Sequence, residues 1–150
     1  MLYLACDGDG TGSQVSASIF TGEVKKAHYL SRSINIAGQA VIDHLIKKHY
    51  AHPIIQGGDD IMVEIPSYKW SDEITLHIRY IFSEYTGFTM SCGLGDTPQE
   101  AAKVLVVAKA TGKDRVVYWS PNKQKSYAKA IKGKVEELKM KLKAAGGKVA

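Results

Sequence analysis

Gly57-Gly58-Asp59-Asp60 stands between two apolar runs, Pro53-Ile54-Ile55 and Ile61-Met62-Val63-Glu64-Ile65. Runs of β type joined by a glycine pair predict a hairpin, because glycine accepts the positive φ of tight strand connections. One Asp is ordinary in a turn. Two adjacent carboxylates repel each other unless a cation lies between them. A second acidic segment, Asp7-Gly8-Asp9-Gly10-Thr11-Gly12, follows the short apolar run Leu2-Tyr3-Leu4-Ala5-Cys6. Carboxylates at a strand end and on a neighbouring hairpin converge readily, since paired strands lie about 4.8 Å apart. Metal-assisted phosphoryl transfer commonly uses two ions roughly 3.5–4 Å apart, and Mg²⁺ needs only one or two carboxylates beside water and phosphate oxygens. The two segments together predict a metal-dependent phosphate site at a hairpin tip.

Other readings of the same residues fit less well. Asp7, Asp9 and Gly12 fall at the first, third and sixth positions of a calcium loop, but Ser18 stands where its bidentate Glu belongs, and the loop follows a strand. Calcium is therefore excluded. Either acidic loop alone is also compatible with a plain glycine-rich turn.

The 150 residues match one ordinary domain, expected to span 1–150, with a net charge of +5. Nine lysines from Pro121 onward face only Glu136 and Glu137. Such a surface suits an anionic partner or the wet side of a helix whose dry stripe is Ile131, Val135, Leu138 and Leu142. Cys6 and Cys92 lack metal or redox spacing, in keeping with a reducing cytoplasm. His44, His49 and His52 read as surface residues near a helix end. With no secretory signal and no apolar run of spanning length, a cytoplasmic protein without membrane contact is expected.

The elements that must position the acidic loops follow from periodicity. The first strand is expected to start near Met1, and no N-terminal sensor domain is expected. A helix is expected over about Glu23 to Lys48, with Ala27, Leu30, Ile34, Ala37, Val41 and Leu45 on one face. After the hairpin, Ser71 reads as an N-cap for a helix with the stripe Ile74, Ile78, Ile81, Phe82 and Tyr85, closed by Gly87. Phe88 to Cys92 reads as a strand. Thr97-Pro98-Gln99-Glu100 is a capping box opening a helix with Ala101, Val104, Leu105 and Ala108 inside and Gly112 as its stop. Val116 to Trp119 is a further strand, and Ser120-Pro121 opens the basic terminal helix. The order β-α-β-β-α-β, then α-β-α, predicts an α+β fold. Its first six elements match a ferredoxin-like antiparallel sheet with helices on one face. In that topology the second hairpin strand pairs with the first strand, so Asp7 is expected to face Asp59 and Asp60.

An Asp at the end of the first strand and Gly-Gly-Asp-Asp in the hairpin resemble the palm of nucleotidyl cyclases and polymerases. GGDEF diguanylate cyclases and the polymerase subunit of type III CRISPR complexes share that palm. Asp7-Gly8-Asp9 looks like its metal-binding Asp-x-Asp, and Leu30-Ser31-Arg32 is similar to the CRISPR polymerases. Ser91-Cys92-Gly93-Leu94 resembles the Ser-x-Gly strand. Ala108-Lys109 with Gly112-Lys113-Asp114 resembles the Ala-Lys-x-x-Gly-Arg-Asn segment, whose cations hold the triphosphate. A chain this short most resembles the minimal CRISPR polymerases. The resemblance implies a cyclic nucleotide signal made in antiphage defence and read by a separate effector.

The site expected from residues and resemblance together comprises catalytic Asp7, Asp59 and Asp60, with two Mg²⁺ or Mn²⁺ ions held by Asp7, the Gly8 carbonyl, Asp59 and Asp60. Gly10, Thr11 and Gly12 are expected to cradle phosphates, Gly57 and Gly58 to leave room for the nucleotide, and Lys109 and Lys113 to neutralise the triphosphate. Without the resemblance, both lysines read as a solvated helix end. GGDEF cyclases carry a guanine-reading Asn and Asp around their first long helix. Here the segment is differently spaced, Gln39 stands near the place of that Asp, and no Arg-x-x-Asp precedes Gly57. ATP is accordingly favoured over GTP. Lys113 replaces an arginine and loses its bidentate fork. Closing a ring from two nucleotides takes two half-sites, so a homodimer or higher homo-oligomer is expected. The rivals are a diguanylate-cyclase or adenylate-cyclase type of enzyme and a non-catalytic nucleotide sensor. A nucleic-acid module comes last, since the aromatic-basic interleaving of strand binders is missing.

Overall fold

Alternation in the first strand, β1 (Leu2–Gly8), sets the architecture. Leu2, Leu4 and Cys6 point to one face of the sheet and Tyr3 and Ala5 to the other. The computed structural model describes residues 1–144, without the side chains of Leu138 and Leu142. Two helices follow β1: α1 (Thr11–Phe20) and the long α2 (Val24–His49). The hairpin is β2 (His52–Gly57) and β3 (Asp60–Ile65), after which Ser67–Lys69 makes one 3-10 turn. The chain continues with α3 (Glu73–Thr86), β4 (Met90–Gly95), α4 (Pro98–Ala110), β5 (Val116–Tyr118) and α5 (Pro121–Ala144).

The sheet runs β2-β3-β1-β4-β5. Its first four strands are antiparallel in the ferredoxin-like order, and β5 adds in parallel to β4. The expected palm core is present. Ala37, Val41 and Leu45 of α2 and Ile74, Ile78 and Phe82 of α3 are buried against Leu4, Val63, Ile65 and Met90 on one face. Helix α4 covers the other face, where its Ala101 and Leu105 meet Ala5 and Met62, while Tyr127 and Ile131 of α5 pack with the core on the α2 and α3 side. Cys6 and Cys92 sit opposite each other on β1 and β4, their sulfurs 3.1 Å apart within the core. Burial pushes the Cys6 thiol well above its ordinary value. Among the described residues no helix is long and apolar enough to cross a membrane.

Several expected boundaries move. Residues 11–20, for which the sequence predicts no helix, form α1. Strand β4 begins two residues later than expected, because the Thr86 hydroxyl accepts the Phe88 N–H at 3.0 Å and closes a turn over 86–89. Asp72, not Ser71, is the α3 N-cap, although Ser71 Oγ still accepts the Glu73 N–H. Tyr85, placed in the α3 stripe, is half exposed. Half of the capping box forms: Thr97 Oγ1 accepts the Glu100 N–H at 3.2 Å, while the Glu100 carboxylate accepts the Asp96 N–H at 2.7 Å instead of that of Thr97. In the α5 stripe Ile131 packs against the core and Val135 is exposed, while Leu138 and Leu142 lie outside the described residues. His44 and His49 are half buried rather than superficial. Their rings lie 5.6 Å apart, and His77 of α3 stands 6.0 Å from His44.

Candidate active site

Gly58 and Asp59 are the two residues of the hairpin turn, since Gly57 pairs with Asp60 across it. Gly58 has φ 68° while Asp59 has no positive φ, the pattern of a II′ turn, whose twist matches that of its strands. The tip rests directly on α2. A Cβ at Gly38 would lie 1.8 Å from the Gly58 carbonyl oxygen, so helix and hairpin touch backbone to backbone. This contact carries Asp59 toward the end of β1, where the Thr11 hydroxyl donates to Asp59 Oδ2 at 2.5 Å. Side chains crowd Gly8 in turn: a Cβ there would stand 2.6 Å from Asp59 Oδ2 and 2.8 Å from the Phe82 ring.

Asp7 lies one residue beyond the Cys6–Ile61 pair, which brings it beside Asp60 at the start of β3. Burial raises its pKa, Lys109 opposes that, and the nearby charges of Asp59 and Asp60 push it up further, so the carboxyl sits above its ordinary value. The Lys109 ammonium donates to the Gly8 carbonyl at 2.6 Å and lies 3.0 Å from Asp7 Oδ2 and 2.9 Å from Asp9 Oδ1.

Asp9, read through the resemblance as part of a metal-binding Asp-x-Asp, is bound on all sides by protein donors. Its buried carboxylate accepts from Ser91 Oγ at 2.8 Å and Lys109 Nζ at 2.9 Å on one oxygen. The other oxygen accepts from Thr89 Oγ1 at 2.7 Å and the Asp114 N–H at 2.9 Å. Burial pushes this carboxyl up, but the bonds from Lys109, Thr89, Ser91 and Asp114 outweigh it and hold the pKa below the ordinary value. Protein donors thus occupy both oxygens of the residue for which the resemblance implies a place in a metal-binding Asp-x-Asp. The bond to Asp114 also fixes a turn in which Lys113 and Asp114 are both left-handed, at φ 62° and 47°, a conformation that costs energy for non-glycine residues.

An open cleft of about 400 Å³ gathers Asp7, Gly8, Thr11, Asp59, Lys109 and Lys113. Gly10 and Gly12 line it too, but as the N-terminus of α1 rather than as a loop: Gly10 is the N-cap with φ 72°, and Thr11 is the first helical residue. The first-turn amides of a helix point outward and favour an anion. A second cleft of about 370 Å³ shares Thr11, Gly12 and Asp59 with the first and continues to Ser31, Asn35 and Gly58. Gly57 lines this second cleft. Gln39 and Gln56 lie beyond it in a recess of about 190 Å³. Asp60 is exposed at the turn and lines none of these spaces. Asn35 and Gly38 escaped the sequence reading. A glycine in mid-helix, where it costs about 1 kcal/mol against alanine, was the available sign for Gly38.

Among the described residues no group of three or more His, Cys, Asp or Glu side chains is arranged to hold a metal ion. The oxygens nonetheless suit a hard cation. Asp7 and the Gly8 carbonyl already share one positive charge, the Lys109 ammonium, and Asp59 borders the same cleft. Two carboxylates and a carbonyl leave the rest of a Mg²⁺ shell to water and phosphate oxygens.

The model of the minimal CRISPR polymerase domain matches residues 3–119. This chain belongs to that family. The matched span of the minimal CRISPR polymerase domain runs from β1 through β5 and holds every residue of the cleft. Among solved structures, the crystal structure of a Csm1-Csm4 cassette in complex with cA4 is similar, with a TM-score of 0.59 and 22% sequence identity. The likeness covers 77% of this chain and 20% of that one, so the chain spans about a fifth of its relative's length. At that identity the fold is what the two share. A search of curated proteins found no match.

Proposed function

We propose that this minimal CRISPR polymerase is a nucleotidyltransferase that converts ATP into a cyclic di- or oligoadenylate and pyrophosphate. The observation that carries the reading is the convergence of Asp7, Asp59, Lys109, Lys113 and the α1 N-terminus on one cleft. The family supports it, as does the similar Csm1-Csm4 cassette, whose structure contains cA4. Asp7, Asp59 and the Gly8 carbonyl would hold two Mg²⁺ or Mn²⁺ ions, which would neutralise phosphate charge and make a ribose hydroxyl more acidic. Lys109, Lys113 and the first amides of α1 bind the triphosphate. The adjoining cleft at Ser31 and Asn35 takes the nucleoside. The ribose oxygen attacks the α-phosphorus in line, its bond to the pyrophosphate oxygen breaks, and the hydroxyl proton leaves to Asp60 or to water. Asp60, outside the cleft, either takes that proton or completes a metal shell.

Ring closure takes two such reactions, so two copies act together. The product serves as a second messenger in antiviral defence within the cytoplasm, read by a separate effector. Purified protein incubated with each nucleoside triphosphate and Mg²⁺ or Mn²⁺, with products identified by mass, tests the reading. A cyclic adenylate and pyrophosphate from ATP, abolished by Asp59→Ala or excess EDTA, is expected. No product from any triphosphate, or a product from GTP alone, overturns it.

A further inference from the structure

The Lys109 ammonium sits where a cation would sit. It draws on three oxygens from three residues, the Gly8 carbonyl at 2.6 Å, Asp9 at 2.9 Å and Asp7 at 3.0 Å. Two of these, Asp7 and the Gly8 carbonyl, are oxygens assigned above to the metal. The third is not, because four donors already saturate Asp9. The ammonium therefore has one partner it keeps and two it must give up when a metal arrives. Lys109 is carried near the end of α4, and its stem is long enough to turn about the Asp9 contact toward Lys113 and the open cleft.

We propose that Lys109 is the resident cation of the empty cleft, holding Asp7 and the Gly8 carbonyl until a metal–triphosphate complex displaces it, and that Asp9 is the tether that keeps it there to meet the phosphates. Asp9 is thus a positioning residue. It acts through Lys109 and touches neither metal nor nucleotide. Without nucleotide, Lys109 competes with the metal. With nucleotide, the same ammonium gains the triphosphate and favours loading. The cleft then takes metal and nucleotide together in preference to metal alone, which guards it against idle occupation.

This inference rests on the nucleotidyltransferase reading but is tested by binding without turnover. Calorimetry would follow Mn²⁺ titrated into nucleotide-free protein, and then α,β-methylene ATP with Mn²⁺ present. Lys109→Met is expected to bind Mn²⁺ alone about fivefold more tightly, the worth of one partly exposed ion pair removed. The same variant binds the Mn²⁺–nucleotide complex more weakly. Asp9→Asn is expected to bind Mn²⁺ alone at least as tightly as wild type, because the loosened ammonium competes less, while weakening the nucleotide complex about tenfold, as loss of a supporting partner does. Unchanged or weaker Mn²⁺ binding by Lys109→Met overturns the proposal. So does weaker Mn²⁺ binding by Asp9→Asn, which would make Asp9 a ligand, and so does failure of wild type and Lys109→Met alike to bind Mn²⁺. Lys109→Gln repeats the first arm if circular dichroism finds the Met variant unfolded. Failure of the parent reading appears instead as absent product in the mass assay.

Discussion

Gly38 presents no side chain to do chemistry, yet its lack of one is what lets the hairpin turn lie on α2. Alanine there would push the Gly58 carbonyl away and swing Asp59 from Thr11, since a Cβ cannot stand 1.8 Å from an oxygen. Gly38→Ala is expected to cost about 1–3 kcal/mol of stability as an overpacked contact and to remove most cyclic product. Chemical denaturation and the mass assay check the two effects separately. Unchanged activity would detach the hairpin position from the chemistry. At this scale Asp7 and Asp59 were legible, because carboxylates beside glycine at a strand end and a hairpin turn form a local pattern, whereas Lys109 and Lys113 stood out only through the family resemblance. Asp9 and Gly38 were not legible. Their roles depend on partners 82 and 105 positions away for Asp9 and on a backbone approach across the fold for Gly38.

Helices α2 and α3 meet along a seam that holds three imidazoles. His44 packs between His49 and His77, and its Nε2 is buried with no hydrogen-bond partner among the described residues. Burial lowers the His44 pKa, with His49, His77 and Lys48 adding to it. Burial also lowers that of His49, against its bond to the Lys69 carbonyl and with His77, Lys69 and Lys48 on the same side. The unfolded chain therefore binds more protons as pH falls below about 6.5, and the folded state loses stability over that window. The melting temperature is expected to drop between about pH 7.5 and about pH 5.5, and His44→Gln to flatten the drop. An equal slope in the variant would contradict this account. The elements themselves were readable wherever an apolar stripe was long, as in α2 and α3. Helix α1 was not, because its stripe is short and its Val15, Ile19 and Phe20 remain partly or largely exposed.

At the scale of the whole molecule, the sheet order and the meeting of Asp7 with the hairpin followed from topology alone. The placement of α4 on the opposite face did not, because Ala101, Val104 and Leu105 form a stripe that would serve either side. Two half-sites per ring predict a dominant effect of inactive chains. Wild-type protein mixed and re-equilibrated with excess Asp59→Ala should lose more activity than dilution explains, and sedimentation should show assemblies of at least two chains. Strictly proportional activity would mean that each chain works alone.

The outermost strand β2 carries Pro53 and loses its register between Pro53 and Ile55. Proline lacks an amide hydrogen, and a bulge bends the rung beside it, so a neighbouring chain finds no continuous ladder to extend. Copies of this protein are thereby steered away from joining rim to rim into fibres.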